Sequence, residues 1–222
     1  MGKLICYKMT HDTAFAPNPF FGVLTLATCK PGIRRNRNIG AGDWISGWTS
    51  RCLDGSEPGQ ERLVYIAKID EKISMEDYWE RFQNKRVPPE AISNEFDFRR
   101  YGDNIYEPEA GGGFRQHANC GGHGEGDYKR DTGGGNVLIC REFYYFPVVN
   151  NGKKPEDNHS LDMTDHRGGL RMHRNFTYFP EEERIEALIG YAKDQFERGL
   201  KESGLSKEDY ILKLRNLPTS NK

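Results

Sequence analysis

Hydrophobic positions fall along this chain in short runs, with one long helical stripe near the end. Residues 3–9 (KLICYKM) carry apolar and β-branched side chains without helical spacing and predict a first strand. Two prolines and Asn18 make residues 10–20 (THDTAFAPNPF) a loop. Residues 21–29 (FGVLTLATC) predict a second strand. A basic loop (PGIRRNRNIGAG) follows, and DWISGWT enters a third strand through Gly42 and Asp43. In RLVYIAKID (62–70), Leu63, Tyr65, Ala67 and Ile69 share one face of a predicted strand. SMEDYWERFQ (74–83) predicts a helix, with Ser74 as N-cap and Asp77 at the capping-box position. NVLICREFYYF (136–146) predicts the last strong strand. After Pro180, Ile185, Leu188, Ile189, Ala192 and Phe196 form one helical stripe, and a second short helix starts at Ser206.

Strands, one helix, more strands and then helices define an α+β class rather than regular βαβ units. Short, non-alternating strands predict a small curled sheet or a partly closed barrel with flanking helices. The division expected is a domain over 1–179 and a C-terminal helical extension over 180–222. Glycine accounts for 25 of the 222 residues. Much of the surplus lies in 100–136, which reads as one long functional or mobile loop.

Charge narrows the function classes. Lys plus Arg number 32 and Asp plus Glu 33. That balance excludes a globally basic nucleic-acid binder but leaves room for a local basic face. An aromatic content of 12% excludes a disordered chain. No run approaches the ~20 apolar residues of a membrane span, so no membrane partner is expected. MGKLICYKMT has no apolar core of the secretory type. Five cysteines at irregular spacing predict reduced thiols and a cytoplasmic setting. Neither a Rossmann glycine fingerprint nor a phosphate-binding lysine loop is present.

Six segments in order, THDTAFAPNPFFGVLTLATCKPGIRR, GDWISGW, RLVYIAKIDEKISMEDYW, RFQNKR, YGDNIYEP and NVLICREFYYF, resemble the nucleotide modification associated domain 2 family over about residues 3–147. The resemblance implies a link to systems that make or handle modified DNA bases, notably in phages and bacteria. It supplies no assigned reaction and no catalytic residues. The chain departs from the family in a longer basic loop and in its helical extension. A basic segment, a Gly-Asp-aromatic turn and a VYIAKI-type strand are also similar to PUA-like β-barrels, the group with EVE and YTH domains. Those hold a flipped or modified base in an aromatic pocket, and this is analogy at the level of fold.

The candidate site residues follow from their chemistry. Phe20, in the proline-ordered AFAPNPFFG loop, either walls a base or caps the core. Trp44 and Trp48, four apart in a strand, either pinch a planar ring or fill an interior. His11 and Asp12 offer a polar pair for a base edge or for general acid–base work. Asp103 and Asn104, flanked by Tyr101 and Tyr106, suit a base edge or a turn. His11, Asp12 and Asp103 are the catalytic candidates. Phe20, Trp44, Trp48, Asn104 and Tyr106 are the ligand-binding ones. Lys30, Arg34 and Arg35 are candidates for gripping phosphate. His117, Cys120 and His123 have the three-residue spacing of metal ligands but lack a partner pair. No metal or cofactor is expected. Cys6, Cys29 and Cys140 read as small buried core residues, and no spacing supports a cysteine triad.

Recognition of a modified base or nucleotide is the expected function, with modified nucleotide or DNA as partner. An enzyme that adds, removes or hydrolyses a nucleotide modification is the first alternative. An accessory subunit docking its C-terminal helices on a DNA-modification enzyme is the second.

Overall fold

A computed structural model describes residues 2–170, 172–173 and 175–217. Among the described residues there are ten strands: β1 (Leu4–Lys8), β2 (Leu24–Leu26), β3 (Trp44–Trp48), β4 (Leu63–Lys68), β5 (Glu71–Ser74), β6 (Tyr106–Pro108), β7 (Phe114–Gln116), β8 (Asn136–Cys140), β9 (Phe143–Tyr145) and β10 (Thr177–Tyr178). Seven α-helices accompany them: α1 (Pro31–Arg34), α2 (Arg51–Asp54), α3 (Met75–Arg81), α4 (Pro89–Ile92), α5 (Tyr128–Thr132), α6 (Glu182–Ser203) and α7 (Lys207–Leu214). The class is mixed α+β, as expected. The sheets are open, so the barrel, PUA-like or otherwise, is not formed.

The chain folds as two compact units built from interleaved segments, where the sequence reading divides it once at 180. The first unit draws on residues 2–12, 42–68 and 142–217. Its five-stranded sheet runs β10-β1-β3-β4-β9, with β1 and β3 parallel and the other pairs antiparallel. Along β4, Leu63, Tyr65 and Ala67 are buried as the alternation predicts. Val64 and Ile66 on the opposite face are buried as well. An interior strand covered on both faces loses its alternation. Gly47 of β3 sits opposite Tyr65. A Cβ there would lie 2.4 Å from the Tyr65 ring and from Met9 Sδ, so only glycine lets that ring lie flat on the strand.

The helical stripe is spent inside this unit. Ile185, Leu188, Ala192 and Phe196 of α6 are buried, and Phe196 packs against Tyr144 and Phe146 with ring centroids 5.9 and 5.8 Å apart. Ser206 caps α7 by accepting from Asp209 N, as the sequence predicts.

The second unit holds residues 13–41 and 69–141. It contains a three-stranded antiparallel sheet in the order β2-β8-β5 and the β6–β7 hairpin. The sheet, α3 and the hairpin enclose a core of Phe15, Met75, Tyr78, Ala91, Ile105, Tyr106, Val137 and Ile139. Ser74 caps α3 through Asp77 N at 2.9 Å, also as predicted.

Three expectations change. The predicted second strand shrinks to Leu24–Leu26, because Phe21 and Gly22 before it adopt positive φ of 62° and 83°. The predicted strand over 136–146 is two strands in different sheets, β8 and β9. It breaks at Arg141 and Glu142; Arg141 N donates to Asp70 Oδ2 at 2.5 Å and its guanidinium reaches Glu71 Oε1 at 2.6 Å. The glycine-rich stretch is no single loop, since it folds into β6, β7 and α5.

A candidate cysteine nucleophile site

In the second unit, β2 runs through Ala27 and Thr28 into a sharp turn that starts α1. Cys29 stands on that turn with φ 55°, and Lys30 follows with φ 39° and ψ 49°. A non-glycine residue in this region costs on the order of 1–3 kcal/mol, so the surroundings must enforce it. Pro31 sets φ for the first residue of α1. Arg34, fully buried, clamps the turn from below. Its Nε donates to Cys29 O at 2.8 Å, Nη1 to Asn136 O at 2.7 Å and Nη2 to Asp131 O. Burial pushes this guanidinium down to about 10, against the pull of Asp131. Gly134 makes room for it, as a Cβ there would lie 2.4 Å from Arg34 Cζ.

The imidazole comes from the glycine-rich segment. Asn119 folds that segment back by accepting from Gly121 N and His123 N and donating to His123 O. Gln116 of β7 donates to the same carbonyl at 3.0 Å. Phe15 lies against the His123 ring at 4.8 Å between centroids. The ring of Phe15 also presses on Gly121, where a Cβ would lie 2.2 Å from it.

His123 thereby joins a sulfur to a carboxylate. Its Nε2 stands 3.7 Å from Cys29 Sγ, and its Nδ1 stands 2.5 Å from Asp131 Oδ2. Asp131, on α5, is buried and also accepts from Tyr106 OH at 3.0 Å, Cys29 N at 2.9 Å and Arg130 Nε at 3.1 Å. Burial works against charge on His123, but the bonds and charges of Asp131 and Cys29 outweigh it and push its pKa from 6.5 to about 9. Burial opposes charge on Asp131 too, and His123, Cys29 N and Arg130 overcome it, leaving the carboxyl below its ordinary value. The two directions agree on an imidazolium–carboxylate pair. Cys29 remains partly exposed. The thiolate is the reactive form of any cysteine. A thiol, a base and an orienting carboxylate in line are the parts of a covalent nucleophile.

Cys29, His123 and Asp131 also offer ligand atoms within 4.8 Å of one another, close enough to test as a metal site. The geometry does not suit one. Sulfur and carboxylate approach opposite nitrogens of the ring, and Asp131 occupies Nδ1 as an outer partner. That leaves two ligands, fewer than the three or four a zinc site uses.

Arg34, Tyr106 and His123 belong to this site, and the other sequence candidates fall elsewhere. Asp12, in the first unit, is buried and accepts from Tyr145 OH at 2.5 Å, Val148 N at 2.8 Å and Arg215 Nη1 at 2.9 Å. Its neighbour His11 is exposed. Trp48 is fully buried and donates from Nε1 to Ser46 Oγ at 2.8 Å; Trp44 is 7% exposed. Both fill the interior beside their strand rather than presenting a ring to solvent. Phe20 is buried edge-on against Phe98. In the second unit Asp103 is sealed, accepting from Thr25 Oγ1 and Tyr78 OH at 2.6 Å each, with Lys85 Nζ 3.9 Å away. Tyr106 braces Asp131. Arg34 is consumed by the turn it clamps, whereas Arg35 is exposed and Lys30 half-buried. His117, Cys120 and His123 go to separate partners: Glu107, Arg100 and the Cys29–Asp131 pair. Cys6 and Cys140 are buried core residues as expected, and burial pushes Cys6 up to about 12. Cys29 is not.

The fold is mixed α+β, and its second unit carries a cysteine–histidine–aspartate line on a strained strand-to-helix turn. The family model for the nucleotide modification associated domain 2 matches residues 1–203, and the chain belongs to that family. The match runs past residue 147 and takes in α6. No curated protein and no solved structure matches the chain. Among the described residues, no helix is long and apolar enough to cross a membrane.

Proposed function

We propose that the chain is an enzyme of a nucleotide-modification system that uses Cys29 as its covalent nucleophile. The observation that carries this is the line Cys29 Sγ, His123, Asp131. The family supplies the association with nucleotide modification. The substrate is a nucleotide or DNA base bearing, or about to receive, an acyl-linked group. Cys29 Sγ attacks the carbonyl carbon, and the bond to the leaving oxygen or nitrogen breaks as His123 gives it a proton. The acyl group is then held as a thioester. An incoming amine, hydroxyl or water gives its proton to His123 and takes the acyl group, which restores thiolate and imidazolium. Asp131 holds the ring orientation throughout. The thiol must stay reduced to work, which fits a cytoplasmic setting and the five free cysteines.

The test is intact-protein mass spectrometry after incubation with acyl-modified nucleotides and with modified phage DNA. A mass increase mapping to Cys29, with turnover abolished in Cys29→Ser, is the expected result. Full turnover in Cys29→Ser would overturn the proposal.

A further inference from the structure

We infer that a cleft of the second unit, of about 460 Å³, binds a nucleoside monophosphate independently of Cys29. Trp79, Asn84, Arg86, Arg99, Asn104 and His117 line it. Its volume falls within the range of about 300–1,000 Å³ usual for small-molecule sites. One wall is a stack of planar groups. The Arg86 guanidinium lies 4.0 Å from the Trp79 ring centroid, and the His117 ring lies 5.3 Å from it at 17° to its plane. Such a wall takes a flat heteroaromatic ring.

The polar groups agree with a base. Asn104 is 3% exposed and gives its Nδ2 to Tyr78 O and Phe82 O, each at 3.1 Å, which fixes the amide orientation. Its Oδ1 has no partner among the described residues, so a nearly buried acceptor is left for a donor such as a base N–H. One charge agrees with a phosphate. Arg86 lines the cleft with its guanidinium bound to a carbonyl, Trp79 O, and to no carboxylate among the described residues, whereas Arg99 is shared with Glu90 and Asp97. An anionic ligand with a planar, N–H-bearing head meets all three features.

Tryptophan fluorescence tests this on the full chain. Trp44 and Trp48 are 7% and 0% exposed, so an added ligand is reported by Trp79. Titration with thymidine and cytidine 5′-monophosphates should give saturable quenching, with the nucleosides and inorganic phosphate each at least about tenfold weaker. Arg99→Ala and Asn84→Ala, at exposed positions, and Arg86→Ala should each weaken binding about tenfold or less. Cys29→Ser should bind as the wild type does. Absence of saturable quenching in the folded protein would overturn the proposal, as would unchanged affinity in all three variants. Binding lost in Cys29→Ser would move the ligand to the cysteine site and overturn it too.

Discussion

Asp103 and Asp131 lie in the same unit, both buried and both accepting a tyrosine hydroxyl. Tyr78 OH reaches Asp103 at 2.6 Å and Tyr106 OH reaches Asp131 at 3.0 Å. What stands beyond each carboxylate differs. Around Asp103 the other groups are Thr25 and Lys85, themselves buried, and Lys85 Nζ turns to Asn18 Oδ1 at 2.7 Å. Burial raises the Asp103 pKa despite that lysine. Around Asp131 the strongest partner is an imidazole whose far nitrogen faces a partly exposed thiol. A carboxylate closed in on all sides organises a core. One that orients a ring toward an accessible sulfur organises chemistry.

The largest expected difference is at the sulfur. Cys29→Ala should lower turnover on the true substrate on the order of a thousandfold or more. Asp103→Asn should show the opposite pattern. It leaves the Lys85 charge buried without its counterion, which costs about 3–5 kcal/mol and lowers the melting temperature by roughly 10 °C. Cys29 alkylation in the folded fraction should keep its wild-type rate. Calorimetry and peptide mapping separate the two; a slow Cys29 in a stable Asp103→Asn protein would erase the distinction.

The smallest effect expected is in pH dependence. The His123 pKa is higher in the folded state, about 9 against 6.5. Its contribution to stability is therefore full below 6.5 and lost as pH rises through about 9. The Asp131 pKa is lower in the folded state than its ordinary 3.8, so its contribution is present above 3.8 and lost in acid. The stability gap between wild type and His123→Gln should thus be widest between pH 3.8 and 6.5 and shrink toward pH 9 and above. A gap that grows with pH in chemical denaturation would reverse the assigned charges.

Much of the fold was legible in the sequence because local rules govern it. Ser74 and Ser206 announce their helices, and the spacing of Ile185 to Phe196 announces the α6 stripe. The break between β8 and β9 was not, since Arg141 and Glu142 interrupt an apolar run without any glycine or proline. The site was harder to read. Ninety-four positions separate Cys29 from His123, and only tertiary pairing of β2 with β8 and the fold of the glycine-rich segment bring them together. Lys-Pro-Gly directly after Cys29 was the available signal, marking a turn between strand and helix. His123 stood out as a candidate metal ligand, while Asp131 carried no mark. Burial itself is not written in the residue type: Trp48 and Phe20, both buried, look the same in sequence whether they line a pocket or fill a core.

The most direct test compares the rate of Cys29 alkylation by iodoacetamide at pH 7 in wild type and His123→Gln, by peptide mass spectrometry. Cys29 should react about tenfold or more slowly in His123→Gln, because the ring that faces its sulfur at 3.7 Å is gone. Equal rates would contradict the account, because His123 would then do nothing for the sulfur it faces.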